Sequence, residues 1–284
     1  MTPNIAKCFR AKFFGTGFLM LSGLAASAVY GQGTAFKDSN LEATIRKFLP
    51  DAKPGEPLTD ARLAQLAIVS STMPIGDIAG LEKCKKLTFL FITGPVSDLA
   101  PLAQLTNLQT ITIKGGKIRD LKPLAGLSNL EYLDLSDNQI ADLGPLAGLT
   151  KLKTLHVSNN QIKDLTPLAS LTALETVHLD GNQIADLKPL GGLKALATVD
   201  VRKNQVADVG PLAGLPAWRY LYLDQNKVSD LASLVNGARQ GGERAEGLGM
   251  ARIVSVAGNP LSAAAKAQQV PELRKLLFDV VVDK

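Results

Sequence analysis

The chain has 284 residues, 46% of them hydrophobic and 20% charged, with a formal charge of +5. Three of its cations, Lys7, Arg10 and Lys12, lie within residues 1–31, which hold no acidic residue, and without them the charge falls to +2. No clustered basic stripe remains, which excludes nucleic acid as the partner, and two cysteines are too few for a disulfide framework.

Residues 1–28 read as an export signal, with Lys7, Arg10 and Lys12 ahead of the apolar run from Phe13 to Ala26. Ala26-Ser27-Ala28 fits the small-residue cleavage rule, and Val29-Tyr30-Gly31 is a competing site that would move the end to 31. The run is short for a spanning helix, so the mature chain is expected to be free of membrane spans and periplasmic or extracellular. Cys8 would leave with the signal, and Cys84 then remains alone at an apolar position, where a buried free thiol is expected.

Residues 38–66 predict a helical cap. Leu41, Ile45, Phe48 and Leu49 have helical spacing, with Ser39 or Asn40 as N-cap. Pro50, Pro54, Gly55 and Pro57 then form a loop, and Leu58 to Leu63 reads as a second short helix capped by Thr59.

Residues 67–235 repeat. Units begin at Leu87, Leu108, Leu130, Leu152, Leu174, Leu196 and Trp218, spaced by 21 and then 22 residues five times. Ile75 to Leu87 is the second half of a degenerate first unit. In one unit the apolar positions are Leu130, Leu133, Leu135, Ile140, Leu143, Leu146 and Leu149, and the next unit supplies Leu152, Leu155, Val157, Ile162, Leu165, Leu168 and Leu171. Leu133 and Leu135 alternate with polar residues, as in a strand buried on one face. The return segment, such as Asp142 to Leu149, carries a proline and is too short for a long helix, so a 3₁₀ turn or extended chain is expected. Asn138, Asn160, Asn182, Asn204, Asn226 and Asn259 form a column suited to satisfying buried turns, since an amide both donates and accepts. Gly116 and Gly94 or Pro95 interrupt it, so the ladder should begin at Asn138. A second column, Asp98, Asp120, Asp142, Asp164, Asp186, Asp208 and Asp230, precedes each return; these should accept backbone N–H bonds. A calcium ladder is the alternative, without a known cage spacing.

After Leu231 and Leu234 the period breaks. Residues 236–252 form an insertion rich in glycine (Gly237, Gly241, Gly242, Gly247, Gly249), read as a tolerated flexible loop or, alternatively, one that contacts a partner. The pattern resumes with Val254, Val256 and Asn259, and residues 253–284 form the last repeat and a closing cap. That cap is expected as helices over 263–269 and 271–277, then a strand at 280–282.

The unit L-x-x-L-x-L-x-x-N-x-I is the leucine-rich-repeat signature. Together with Asn40-Leu41-Glu42, Leu58-Thr59-Asp60 and the repeated N-x-I-x-D-L-x-P-L-x-x-L, it resembles bacterial internalin-type proteins and the wider 22-residue subfamily of such repeats, over Asp38 to Lys284. The resemblance implies an α/β fold: a curved leucine-rich-repeat solenoid, with a parallel sheet on the concave face, short 3₁₀ or extended segments on the convex side, a helical N-terminal cap and a helix-plus-strand C-terminal cap. It also implies a protein-binding role in adhesion or scaffolding. The further domains and wall-attachment signal of internalins have no counterpart before Lys284.

On the concave face the residues beside the strand leucines form three columns. The first runs Phe89, Thr110, Tyr132, Thr154, Thr176, Thr198, Tyr220 and the second Phe91, Thr112, Asp134, His156, His178, Asp200, Tyr222. The third includes Lys114, Ser136, Ser158, Asp180, Arg202 and Asp224. Exposed rigid aromatics are the usual anchors of an interface, so Phe89, Phe91, Tyr132, Tyr220 and Tyr222 are candidate partner contacts, with Asp134, His156, His178, Asp200 and Arg202 between them. The chain's two histidines, His156 and His178, share a column on adjacent strands. Ordinary surface, a pH-sensitive contact and a zinc site completed by Asp134, Asp180 or Asp200 stay open, and no metal ligand or cofactor is assigned. No P-loop, dinucleotide fingerprint, G-x-S-x-G or H-E-x-x-H occurs. A monomeric, non-catalytic binding protein is expected.

Overall fold

A computed structural model of the protein describes residues 36–49, 51–53, 56–245, 252–276 and 278–283. The export signal read at 1–28, its alternative end at 31, Cys8, Pro50, Pro54, Gly55 and residues 246–251 of the insertion lie outside them. All described residues fall in one unit, Gly33–Lys284.

Each repeat contributes one short strand to a single parallel sheet whose spatial order follows the sequence. The strands are β1 Ile68–Pro74, β2 Phe89–Thr93, β3 Thr110–Lys114, β4 Tyr132–Asp134, β5 Thr154–His156, β6 Thr176–His178, β7 Thr198–Asp200, β8 Tyr220–Tyr222, β9 Arg252–Ser255 and β10 Phe278–Val281. β1 precedes the first leucine-marked unit, with Val69 its one fully buried residue.

The return segments turn as 3₁₀ helix at Leu81–Lys83, Ala100–Leu102, Lys122–Leu124, Gly144–Leu146, Thr166–Ser170 and Lys188–Leu190. All but the first carry proline in the first turn, where its missing N–H costs nothing. Ahead of each turn the aspartate column does as expected: Asp142 Oδ1 accepts from Gly144 N at 2.7 Å and Asp164 Oδ1 from Thr166 N at 2.8 Å. Between sheet and turns the apolar columns close into one core, in which Leu130, Leu133, Leu135, Ile140, Leu146 and Leu149 are fully buried. Cys84 is buried there as a free thiol, and burial first, then the charge of Glu82, pushes its pKa up to about 12. A single unit leaves both flanks of this layer open, so units are stable only when stacked.

The asparagine ladder runs between sheet and turns and begins at Asn138. Asn182 is representative: its Nδ2 donates to Val157 O and Leu179 O, both at 2.9 Å, and its Oδ1 accepts from Ile162 N at 3.0 Å. Asn160 repeats the pattern on Leu135 O, Val157 O and Ile140 N.

The caps depart from expectation in three ways. First, α1, Ser39–Lys47, is capped by Asp38 instead of Ser39 or Asn40. Asp38 Oδ1 accepts from Asn40 N and Leu41 N, while Oδ2 accepts from Gly76 N at 2.7 Å and joins the cap to the first repeat. Thr59 occupies the N-cap of α2, Asp60–Leu63, but its side chain makes no capping bond; its carbonyl accepts from Arg62 N and Leu63 N.

Second, the glycine-rich stretch is largely helix. After a single turn of helix, α3 (Gly210–Ala213), the chain forms α4 over Ala232–Ala245. Leu234, Val235 and Ala238 are buried at helical spacing. Gly237 is where α4 crosses α3 closely: a Cβ there would sit 2.2 Å from Ala213 O. This glycine marks a contact between helices and not a loop.

Third, the two closing helices are continuous. A π-helical turn over Ala265–Gln269 leads directly into α5, Val270–Lys275. Pro271 offers no N–H to the turn before it, and a wider turn accommodates that loss. β10 then begins at Phe278, ahead of the predicted 280.

Candidate functional site

Strand alternation and parallel register build the candidate surface. β2 to β8 pair so that Phe91, Thr112, Asp134, His156, His178, Asp200 and Tyr222 stand side by side in one row. Phe89, Thr110, Tyr132, Thr154, Thr176, Thr198 and Tyr220 form the row beside it. α1 packs on β1 and α5 on β10, and no helix among the described residues packs substantially on the strands between. Phe89, Phe91, Tyr132, His156, His178, Tyr220 and Tyr222 are all half-buried, held by neighbours yet reachable from solvent.

The ten predicted residues do not form one contact. Six strand steps of ~4.8 Å put Phe89 and Phe91 ~29 Å from Tyr220 and Tyr222. Two clusters follow along the face, the second reaching the tyrosine end. In the first, the Tyr132 and His156 rings meet edge-on, 5.4 Å between centroids, and the Tyr132 hydroxyl lies 3.4 Å from His156 Nδ1. Burial, then the Asp134 charge, pushes the Tyr132 phenol up to about 12. Asp134 is buried instead of solvated: Ser136 Oγ donates to its Oδ1 at 2.7 Å, and Lys114 Nζ lies 3.2 Å and His156 Nδ1 3.7 Å from its Oδ2.

In the second cluster the His178 ring lies 4.3 Å from that of His156, tilted by 39°. Asp200, 1% exposed, is gripped by Arg202, whose Nε donates at 2.9 Å and whose Nη2 donates at 2.5 Å. The guanidinium also lies over the Tyr222 ring, 5.4 Å from its centre, and Tyr222 is nearly parallel to Tyr220. The Ser158 hydroxyl donates to Asp180. Burial, and then the neighbouring His156, hold the His178 pKa below its ordinary value, so its neutral form is favoured.

The five residues considered for a common ion therefore separate. Asp134 belongs to His156, while Asp180 and Asp200 belong to His178. Sequence reasoning placed Lys114, Ser136 and Ser158 on the face but not in the site. For Ser136 the signal was the i,i+2 spacing that also puts Arg202 beside Asp200 on one side of a strand, whereas Lys114 and Ser158 reach carboxylates on a neighbouring strand, which spacing does not show.

Asp134 sets a pH dependence. Burial opposes its ionisation most strongly, but the His156 ring, the Ser136 hydroxyl and N–H, and the Lys114 ammonium together outweigh it and hold the carboxyl well below the ordinary range. A depressed folded pKa contributes stability above the unfolded value, near 3.8, and loses it as pH falls further. Asp134→Asn should therefore flatten the acid limb of the stability curve. Urea unfolding of both proteins across the acid range measures the difference, which should shrink as pH drops.

A family model described as leucine-rich repeats, two copies, matches residues 128–170 and 150–192. The crystal structure of internalin C2 from Listeria monocytogenes is 32% identical, with a TM-score of 0.69, over 71% of this chain and 90% of that one. This chain belongs to the internalin-type leucine-rich-repeat family. InlJ, also from Listeria monocytogenes, shares the fold at 20% identity and a TM-score of 0.57, over 80% of this chain and 52% of that one. A plant peptide hormone receptor, RGFR1, does so at 19% and 0.53, over 59% and 30%. No curated protein matches in sequence. None of these matches indicates a catalytic family for this internalin-type chain. Among the described residues, no helix is long and apolar enough to cross a membrane.

Proposed function

We propose that this internalin-type protein is an exported, non-catalytic scaffold that captures another protein on the face of β2 to β8. One observation carries the reading: five aromatic side chains, Phe89, Phe91, Tyr132, Tyr220 and Tyr222, stand half-buried on a sheet face that no helix among the described residues covers. Rigid rings that keep exposed surface lose little conformational freedom on binding and supply most of an interface's energy. Asp134, His156, His178, Asp200 and Arg202 lie between the aromatic ends and would set orientation and specificity. A partner that touches both ends must reach ~29 Å, which suits an extended surface. The RGFR1 structure, solved in complex with RGF2, supports the reading as a case of this fold holding a peptide. Export rests on Lys7, Arg10 and Lys12 ahead of the apolar run, with cleavage after Ala28 or Gly31 releasing a monomeric chain to the periplasm or beyond.

Affinity capture from the native secretome, wild type beside a Tyr220→Ala/Tyr222→Ala double variant, tests it. The wild type should retain a partner that the variant holds at least about tenfold more weakly. The variant's thermal midpoint should stay close to the wild type's, since neither ring belongs to the core. Equal retention by both proteins would refute the surface, recovery of the protein only inside the cell would refute export, and an uncleaved N-terminus in the intact mass of the secreted protein would refute the cleavage step.

A further inference from the structure

We infer that His178, Asp180 and one oxygen of Asp200 form a binding site for a divalent transition cation such as Zn²⁺. Two features bring them together. Residues 178 and 180, two apart, project from the same side of the chain. Parallel pairing of β6 and β7 puts Asp200 directly beside His178. The result is one imidazole nitrogen and two carboxylate oxygens, all within 4.8 Å of one another. A tetrahedral zinc with bonds of ~2.0–2.2 Å needs its donors about 3.4 Å apart. The widest pair must therefore contract by up to about 1.4 Å, within reach of side-chain rotation at the half-buried His178 and Asp180.

Charge favours the contraction. Arg202 feels three carboxylates, Asp180, Asp200 and Asp224, so the group of four carries two more negative charges than positive. A divalent cation neutralises that excess. Arg202 N and Nε occupy Asp200 Oδ1, so Oδ2 is the oxygen to ligate: it holds Nη2 closely and shares Nε only at 3.1 Å, a branch that ligation would release. A guanidinium behind a ligating carboxylate holds it in place, as outer-shell groups commonly do. Burial favours the neutral imidazole that ligates, and the His156 ring lies beside it, 4.3 Å away and tilted by 39°. A nitrogen donor selects zinc, nickel or copper over calcium and magnesium, which take oxygen ligands.

Three protein donors leave a fourth position facing solvent, on the face proposed above for the partner. The site itself does not rest on that reading: the cation would bind the isolated protein whether or not a partner exists. Calorimetry and histidine-ring NMR of the full metal-free mature chain, titrated with zinc chloride, supply the test. One equivalent should bind and shift the His178 ring, and an equal concentration of calcium chloride should shift nothing. His178→Gln and Asp180→Asn should each weaken binding at least about tenfold, with the metal-free thermal midpoint unchanged. Absence of binding, a shift confined to His156, or affinity undiminished in both variants overturns the assignment. The tyrosine anchors would be untouched by any of these results.

Discussion

Asn182→Ala should cost about 3–5 kcal/mol of stability, because one small side chain serves three backbone groups from two successive units. Its amide donates to Val157 O from the previous unit and Leu179 O from its own, and its oxygen accepts from Ile162 N. All of these groups are buried between sheet and turns, where water cannot replace the amide. Each orphaned donor or acceptor costs ~1–3 kcal/mol, and alanine orphans at least three. Asn182→Asp should be worse still, since it keeps the acceptor, loses both donors and buries a charge against carbonyl oxygens. Asn129→Ala is the control: its amide also donates to a backbone oxygen, Thr106 O at 2.9 Å, but in an exposed place where water takes over. Urea unfolding followed by circular dichroism should place Asn129→Ala within about 0.5 kcal/mol of wild type. A similarly small loss for Asn182→Ala would mean the ladder does not carry the turns.

The same column explains how much of the fold was legible beforehand. An asparagine recurring among leucines conflicts with a simple apolar pattern, and only a buried turn resolves the conflict. Asn138 and its successors therefore announced both the period and the turn geometry. The aspartates from Asp98 to Asp230 were legible for the same reason, each one residue ahead of an apolar position and two ahead of a turn. β1 was not legible: only Val69 marks its buried side, and its place comes from pairing with β2. Nor were the charges of the open face. Asp134 and Asp200 read as solvated residues on an exposed row, yet Lys114 and His156 cover one and Arg202 the other. Lys114 and His156 reach Asp134 across neighbouring strands, and periodicity shows only that residues share a row, not which of them touch. The aromatic positions were right in register, while their half-burial depends on those same lateral neighbours.

The closing repeat misled for a different reason, and Gly237→Ala exposes it. In an ordinary helix this substitution stabilises by about 1 kcal/mol, because alanine has the higher helix propensity. Here the sign should invert. The new Cβ would lie 2.2 Å from Ala213 O, 2.8 Å from its carbonyl carbon and 3.0 Å from its Cβ. Two of these atoms are backbone, in a one-turn helix fixed between Val209 and Leu215, both buried in the core. They cannot swing aside as a flexible side chain would, so α4 must move off α3 and unseat Leu234, Val235 and Ala238. Overpacking of this kind costs ~1–3 kcal/mol, and partial loss of three buried side chains adds to it, so a net destabilisation of about 2–4 kcal/mol is expected. Hydrogen exchange should show the loss concentrated in α4, with the ladder at Asn160 and Asn182 still protected. Gly148→Ala, where an added Cβ meets nothing within 4 Å, should be nearly neutral. A gain in stability from Gly237→Ala would show that α4 is not docked on α3, and that the glycine-rich stretch is the pliable insertion its composition suggests.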